Sequence, residues 1–139
     1  MNPQPQNEPM YAMVTTLEGV SYGDARERVI AALADEGFGV LTEIDVKATL
    51  ATKLEVDFRP YAILGACNPP LAHRALLAEP QLGIMLPCNV VVQQGEAGAV
   101  VSAINPRAMF GMIENAELET VMTEVDQRLH RVLDAVRGA

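Results

Sequence analysis

The segment Tyr61-Ala62-Ile63-Leu64-Gly65-Ala66-Cys67-Asn68-Pro69-Pro70-Leu71 contains the switch on which the fold turns. Tyr61 to Cys67 is a short run of small and aliphatic residues and reads as a strand. Asn68 then offers a side-chain oxygen to the unpaired N–H groups of a helix start. Prolines in that first turn cost nothing, because no N–H bond is needed there. The helix covers Leu71 to Glu79 and is stopped by Pro80. A strand is thus delivered straight into a helix, with Cys67 at the junction.

The alternation extends upstream. Met10 to Glu18 is β-prone and half alternating, a first strand. Ser21 is an N-cap with Asp24 three residues on. Tyr22, Ala25, Val29, Ala32 and Leu33 recur at helical spacing, and Gly37 stands where a glycine would end that helix. Phe38 to Ile44 is a second strand. Asp45 to Val56 reads as a short helix, with Val46, Leu50 and Leu54 spaced by four, broken at Arg59-Pro60. Downstream, Gly83 to Gln93 is expected as a fourth strand and Ala99 to Asn105 as a fifth. The glycines of Gln94-Gly95-Glu96-Ala97-Gly98 suit a hairpin loop between them. Pro106 to Ile113 is an apolar connection. Asn115 caps a final helix on which Leu118, Val121, Met122, Val125, Leu129, Val132, Leu133 and Val136 form one stripe. The expectation is an α+β fold. It has a single sheet of about five strands, mostly antiparallel, with helices packed on one face in the order β-α-β-α-β-α-β-β-α.

Composition bounds the rest. The 139 residues suit one domain, here 10–139, large enough to fold without a disulfide or metal. Residues 1–9, with three prolines among polar residues, are expected to be a disordered arm. They carry no basic or long apolar segment of the secretory kind. A net charge of −8 with no basic cluster argues against nucleic acid and anionic membranes as partners. No run approaches the length of a membrane span. The expected compartment is the cytoplasm, where the two cysteines would be free thiols.

Three further segments, Glu36-Gly37-Phe38-Gly39-Val40, Gly65-Ala66-Cys67-Asn68-Pro69 with Ala72 following, and Leu86-Pro87-Cys88-Asn89-Val90-Val91-Val92, occur in an order and spacing that make a recognisable set. Through them the chain resembles the family called domain of unknown function 302, from about Val14 to the C-terminus. The resemblance implies a compact sheet with helices on one side, similar to the TATA-binding-protein-like α+β arrangement, and a dimer. It implies no established activity, and a fold does not fix a function.

Any chemistry should lie in the two Cys-Asn segments. Cys67 precedes a helix start, where N–H groups and the helix dipole favour a thiolate. The plainer reading is a small buried hydrophobe at a tight turn. Cys88 follows Pro87. Proline cannot donate to a ladder, so that strand should be at an edge or carry a bulge. His73 lies a turn into the helix after Cys67. Cys67, His73 and Cys88 are the residue types of a soft zinc or copper(I) site, and of a Cys-His nucleophilic pair that Asn68 or Asn89 could orient. The spacing matches no zinc finger and no hydrolase signature. Asn68 and Asn89 also have local structural roles open to them, as a cap and as a partner for backbone groups beside Pro87. Glu43, Asp45, Glu55 and Asp57 read as a solvated surface. Met109, Phe110 and Met112 fit either core packing or a contact seam. The favoured expectation is a homodimeric small-ligand-binding or interaction domain without a cofactor, with candidate residues Cys67, Asn68, His73, Pro87, Cys88 and Asn89. The alternatives are a thiol enzyme or redox protein using Cys67, and a soft-metal binder.

Overall fold

The computed structural model describes residues 8–138. The arm expected over residues 1–9 therefore lies, up to residue 7, outside the described residues. The elements are β1 (Ala12–Glu18), α1 (Tyr22–Asp35), β2 (Gly39–Asp45), α2 (Val46–Leu54), β3 (Tyr61–Cys67), α3 (Pro69–Ala78), a 3-10 segment (Pro80–Met85), β4 (Cys88–Gln94), β5 (Gly98–Ile104), α4 (Pro106–Phe110) and α5 (Ala116–Gly138). The sheet order is β1-β5-β4-β3-β2, and every neighbouring pair is antiparallel. The α+β class and the single five-stranded sheet are as expected.

Period-two alternation sorts the strands into two faces. Ala62, Leu64 and Ala66 of β3, Val90 and Val92 of β4, and Ala99, Val101 and Ala103 of β5 are all buried under the helices. Alanines at these positions let α1 and α5 lie close to the sheet. Helix α1 contributes Ala25, Val29, Ala32 and Leu33. Every residue of the expected α5 stripe is buried. Val14, Ile63, Val91 and Val100 sit on the opposite face and are only half-buried.

The predicted caps form. Ser21 Oγ accepts from the Asp24 amide at 3.1 Å. Asn115 Oδ1 accepts from the Glu117 and Leu118 amides, while its Nδ2 donates to the Ala78 carbonyl at 2.9 Å. The start of α5 is thereby tied to the end of α3. Of the four carboxylates read as surface, Glu43 is held by Arg26, whose Nε donates at 2.7 Å. That hydrogen bond keeps the Glu43 carboxyl below the usual carboxylate range. Asp57 pairs with Lys47.

Two expectations fail at Pro87. The fourth strand begins at Cys88 and not at Gly83, because Pro80 to Met85 coils into 3-10 turns. Leu82 is buried while Ile84 is 85 % exposed, so the apolar alternation through this segment is not the alternation of a strand. Strand β4 is interior, between β3 and β5. Pro87 lies outside the ladder, immediately before it, and so asks for neither an edge nor a bulge. The sheet's register shift falls instead in β2, between Val40 and Thr42, leaving Leu41 as the extra residue. The connection after β5 also contains a short helix, α4, capped by Asn105 through the Arg107 amide.

Candidate functional site

Asn68 occupies the junction that the sequence singled out, and both ends of its amide are engaged. Its Oδ1 accepts from the Leu71 amide at 3.3 Å, capping α3. Its Nδ2 donates to the Glu36 carbonyl at 3.4 Å, at the end of α1. Arg128 on α5 donates to that same carbonyl at 2.8 Å. The chain can turn beside this amide because Gly37 has φ +84°, and a Cβ there would stand 2.9 Å from Asn68 Nδ2. Asn68 is thus a buried clamp joining the start of one helix to the end of another. Replacing it by alanine should cost about 1–2 kcal/mol, the usual worth of a lost cap. The midpoint of urea unfolding measures this directly.

Cys67 and Cys88 are both free thiols. Ala66 pairs with Cys88 across β3 and β4, so Cys67 lies one residue beyond that pair. Alternation therefore points the two cysteines differently. Cys88 is buried under the helices, whereas Cys67 is half-buried at the strand end. Desolvation pushes the Cys88 thiol up to about 11, with the neighbouring Cys67 adding a second push. The linkage to stability has a definite sign. Between about pH 9, where the unfolded thiol ionises, and about pH 11, only the unfolded chain gains by losing the proton. The stabilisation from this thiol is complete below that window and is lost as pH rises through it, by roughly 3 kcal/mol at about 1.4 kcal/mol per pH unit. Cys88→Ala should flatten the wild-type loss of stability over this range in denaturation measured at stepped pH.

Around these cysteines the ends of the sheet and three helices leave an open apolar cavity of about 330 Å³. Ala66, Cys67 and Cys88 form the strand wall. Leu71, Ala72, Ala75 and Leu76 of α3 form a second wall. Leu82, Leu86 and Pro87 close one end, and Phe110, Val121 and Val125 line the depth. Leu41, the residue extruded by the β2 bulge, stands with Thr42 at the lining. The Leu86–Pro87 peptide is cis. No carboxylate, amine, guanidinium or imidazole is among the lining groups.

Of the candidate residues, the cavity brings together Cys67, Asn68, Pro87 and Cys88. His73 is exposed on α3 and Asn89 is exposed on β4, and neither lines it. Among the described residues no three His, Cys, Asp or Glu side chains form a group able to hold a metal ion, so Cys67, His73 and Cys88 do not assemble into one. A base to activate Cys67 would have to come from outside the lining.

Sequence reasoning missed most of the cavity, because its apolar walls look like any core. It also missed Asp126, which is buried on α5. Its Oδ2 accepts from Arg107 Nε at 3.1 Å, fastening α4 to α5, and its Oδ1 has no hydrogen-bond partner among the described residues. The signal was available: Asp126 is four residues after Met122 and three before Leu129, inside the apolar stripe.

A family model described as Domain of unknown function DUF302 matches residues 13–136. The crystal structure of an uncharacterized conserved protein DUF302 from Bacillus stearothermophilus is similar, with 31% sequence identity and a TM-score of 0.84. The likeness covers 93% of this chain and 100% of that one. No curated protein matches the chain. No helix among the described residues is long and apolar enough to cross a membrane.

Proposed function

The chain belongs to the family described as Domain of unknown function DUF302, and on that premise we propose that it is a homodimeric binding domain that takes a small ligand into the cavity between α3, α5 and the adjoining strand ends. One observation carries this reading. Protein cores pack to crystal-like density, yet here an open apolar space of about 330 Å³ is left beside fully buried side chains. Its size is that of a small-molecule site, and its walls are the apolar kind such sites use. Both Cys-Asn segments contribute to it, and each has a local irregularity that shapes the wall. Asn68 starts α3, and Pro87 ends the coil before β4.

The dimer is supported by the sheet face turned away from the helices. Val14, Ile63, Val91 and Val100 stand together there, only half-buried, and a second copy would cover them. Sedimentation should give twice the 15.0 kDa of one chain. The ligand site is tested by thermal shift over a panel of small molecules, comparing wild type with Cys67→Ser and with Ala72→Leu, which fills the cavity. A stabilising compound whose effect survives both substitutions unchanged would place the site elsewhere.

A further inference from the structure

We infer that the cavity selects an uncharged ligand with a hydrocarbon body of about ten carbons and at most one neutral polar end, enclosed by the lining. This rests on the binding reading above and names the chemical class that the site takes.

The lining decides charge. A buried ionised group needs a partner, and no charged side chain lines the cavity. The single amide, Asn68, already spends its oxygen on the Leu71 amide and its nitrogen on the Glu36 carbonyl. Its second N–H and second lone pair, the Thr42 hydroxyl and two thiols are the polar side-chain groups left, all of them neutral. The net charge of −8 further opposes an anion.

The volume decides size. A dry apolar cavity of about 150 Å³ accepts benzene. At about 330 Å³ this one has room for roughly twice that, two fused rings or a medium alkyl chain. The rim points the same way. Leu41 and Leu76 line the cavity yet stay 67 % and 39 % exposed, so apolar surface continues outward at the opening. A chain lying in the cavity would remove that surface from water.

The experiment is displacement of the neutral fluorophore phenylnaphthylamine from the full chain by straight-chain alcohols, with decanoate and decylammonium as charged controls. Affinity should rise about fourfold per added carbon, the value of one buried methylene, and level off near ten carbons. Decanoate and decylammonium should bind at least about 100-fold more weakly than decanol, because their charge finds no partner. Ala72→Leu should shorten the preferred chain, and Leu76→Trp, at a partly exposed site, provides the same test should the first variant fold poorly. Decanoate competing as well as decanol, with sensitivity to these variants retained, would overturn the neutral class while leaving the binding site standing. No response to any compound, by fluorescence or by thermal shift, would remove both. Binding that appears only when the protein is diluted to monomer would assign the cavity to a second copy and overturn the inference.

Discussion

Leu129→Asp is expected to abolish cooperative folding at neutral pH. Leu129 is fully buried on the face of α5 that meets the core. Removing a buried leucine side chain costs about 2–5 kcal/mol through lost transfer energy and the space left behind. The new carboxyl must then either stay charged without a partner or take up a proton. Taking up the proton at pH 7 from an ordinary carboxyl costs about 4 kcal/mol, three pH units at about 1.4 each. Together these come to about 6–9 kcal/mol, enough to remove the whole stability of a domain in the lower half of the roughly 5–15 kcal/mol range. Circular dichroism should show no sharp thermal transition at pH 7. Lowering the pH towards 4 should recover part of it, since the proton no longer has to be drawn from neutral solution. A normal transition at pH 7 would mean that this stripe is not buried. The neighbouring Val125→Asp separates two roles on the same helix. Val125 is buried, but it faces the cavity and not closely packed side chains, so an added carboxyl has space beside it. It should cost somewhat less stability and should repel an apolar ligand.

Much of the fold was legible because several local signals agreed. Ser21, Asn68 and Asn115 cap helices as their residue types require, and Gly37 ends α1 with the positive φ that suits glycine. The α5 stripe was unambiguous because it runs for about five turns with one period. The segment before β4 was not, because a stretch of five residues is too short to separate period two from a tight helical turn. Leu82, Ile84 and Leu86 alternate in sequence, yet only Leu82 is fully buried. A backbone that must turn Leu82 into the core wins over the alternation.

The site was legible in its landmarks and illegible in its walls. Asn68 and Pro87 stand out because each imposes a backbone geometry. Phe38, Leu71, Leu82 and Val121 do not, since nothing in their spacing tells a packed position from one facing a void. His73 and Asn89 could have been set aside on geometry alone. Leu71 and Ala75 face inward, and at 100° per residue His73 lies about 200° around the helix from Leu71. Asn89 follows inward-facing Cys88 and therefore points to the other side of the sheet. Residue type suggested both, whereas periodicity opposed both.

Gly65→Val should lower stability by about 3 kcal/mol even though it replaces one of the poorest strand formers with one of the best. Propensity alone predicts a gain of up to about 1 kcal/mol. Crowding decides against it. A Cβ at Gly65 would collide with Thr42 Oγ1 and lie 2.8 Å from Pro87 Cγ. The threonine hydroxyl can rotate away, but its branched Cβ leaves few rotamers. The proline ring has almost no freedom, so the backbone before β4 must move. Thr42 and Pro87 both line the cavity, and the displacement should reshape it. The smaller change Gly65→Ala isolates the contact. Combined with Thr42→Ala, it should regain more than half of what it loses alone, a coupling of about 1 kcal/mol in a double-mutant cycle followed by urea unfolding. Strict additivity would show that Thr42 does not press on this glycine. A recovered stability with ligand response still lost would instead locate the remaining effect at Pro87. That outcome would tie the close approach of β3, β2 and the Pro87 turn to the shape of the site, and not merely to the survival of the sheet.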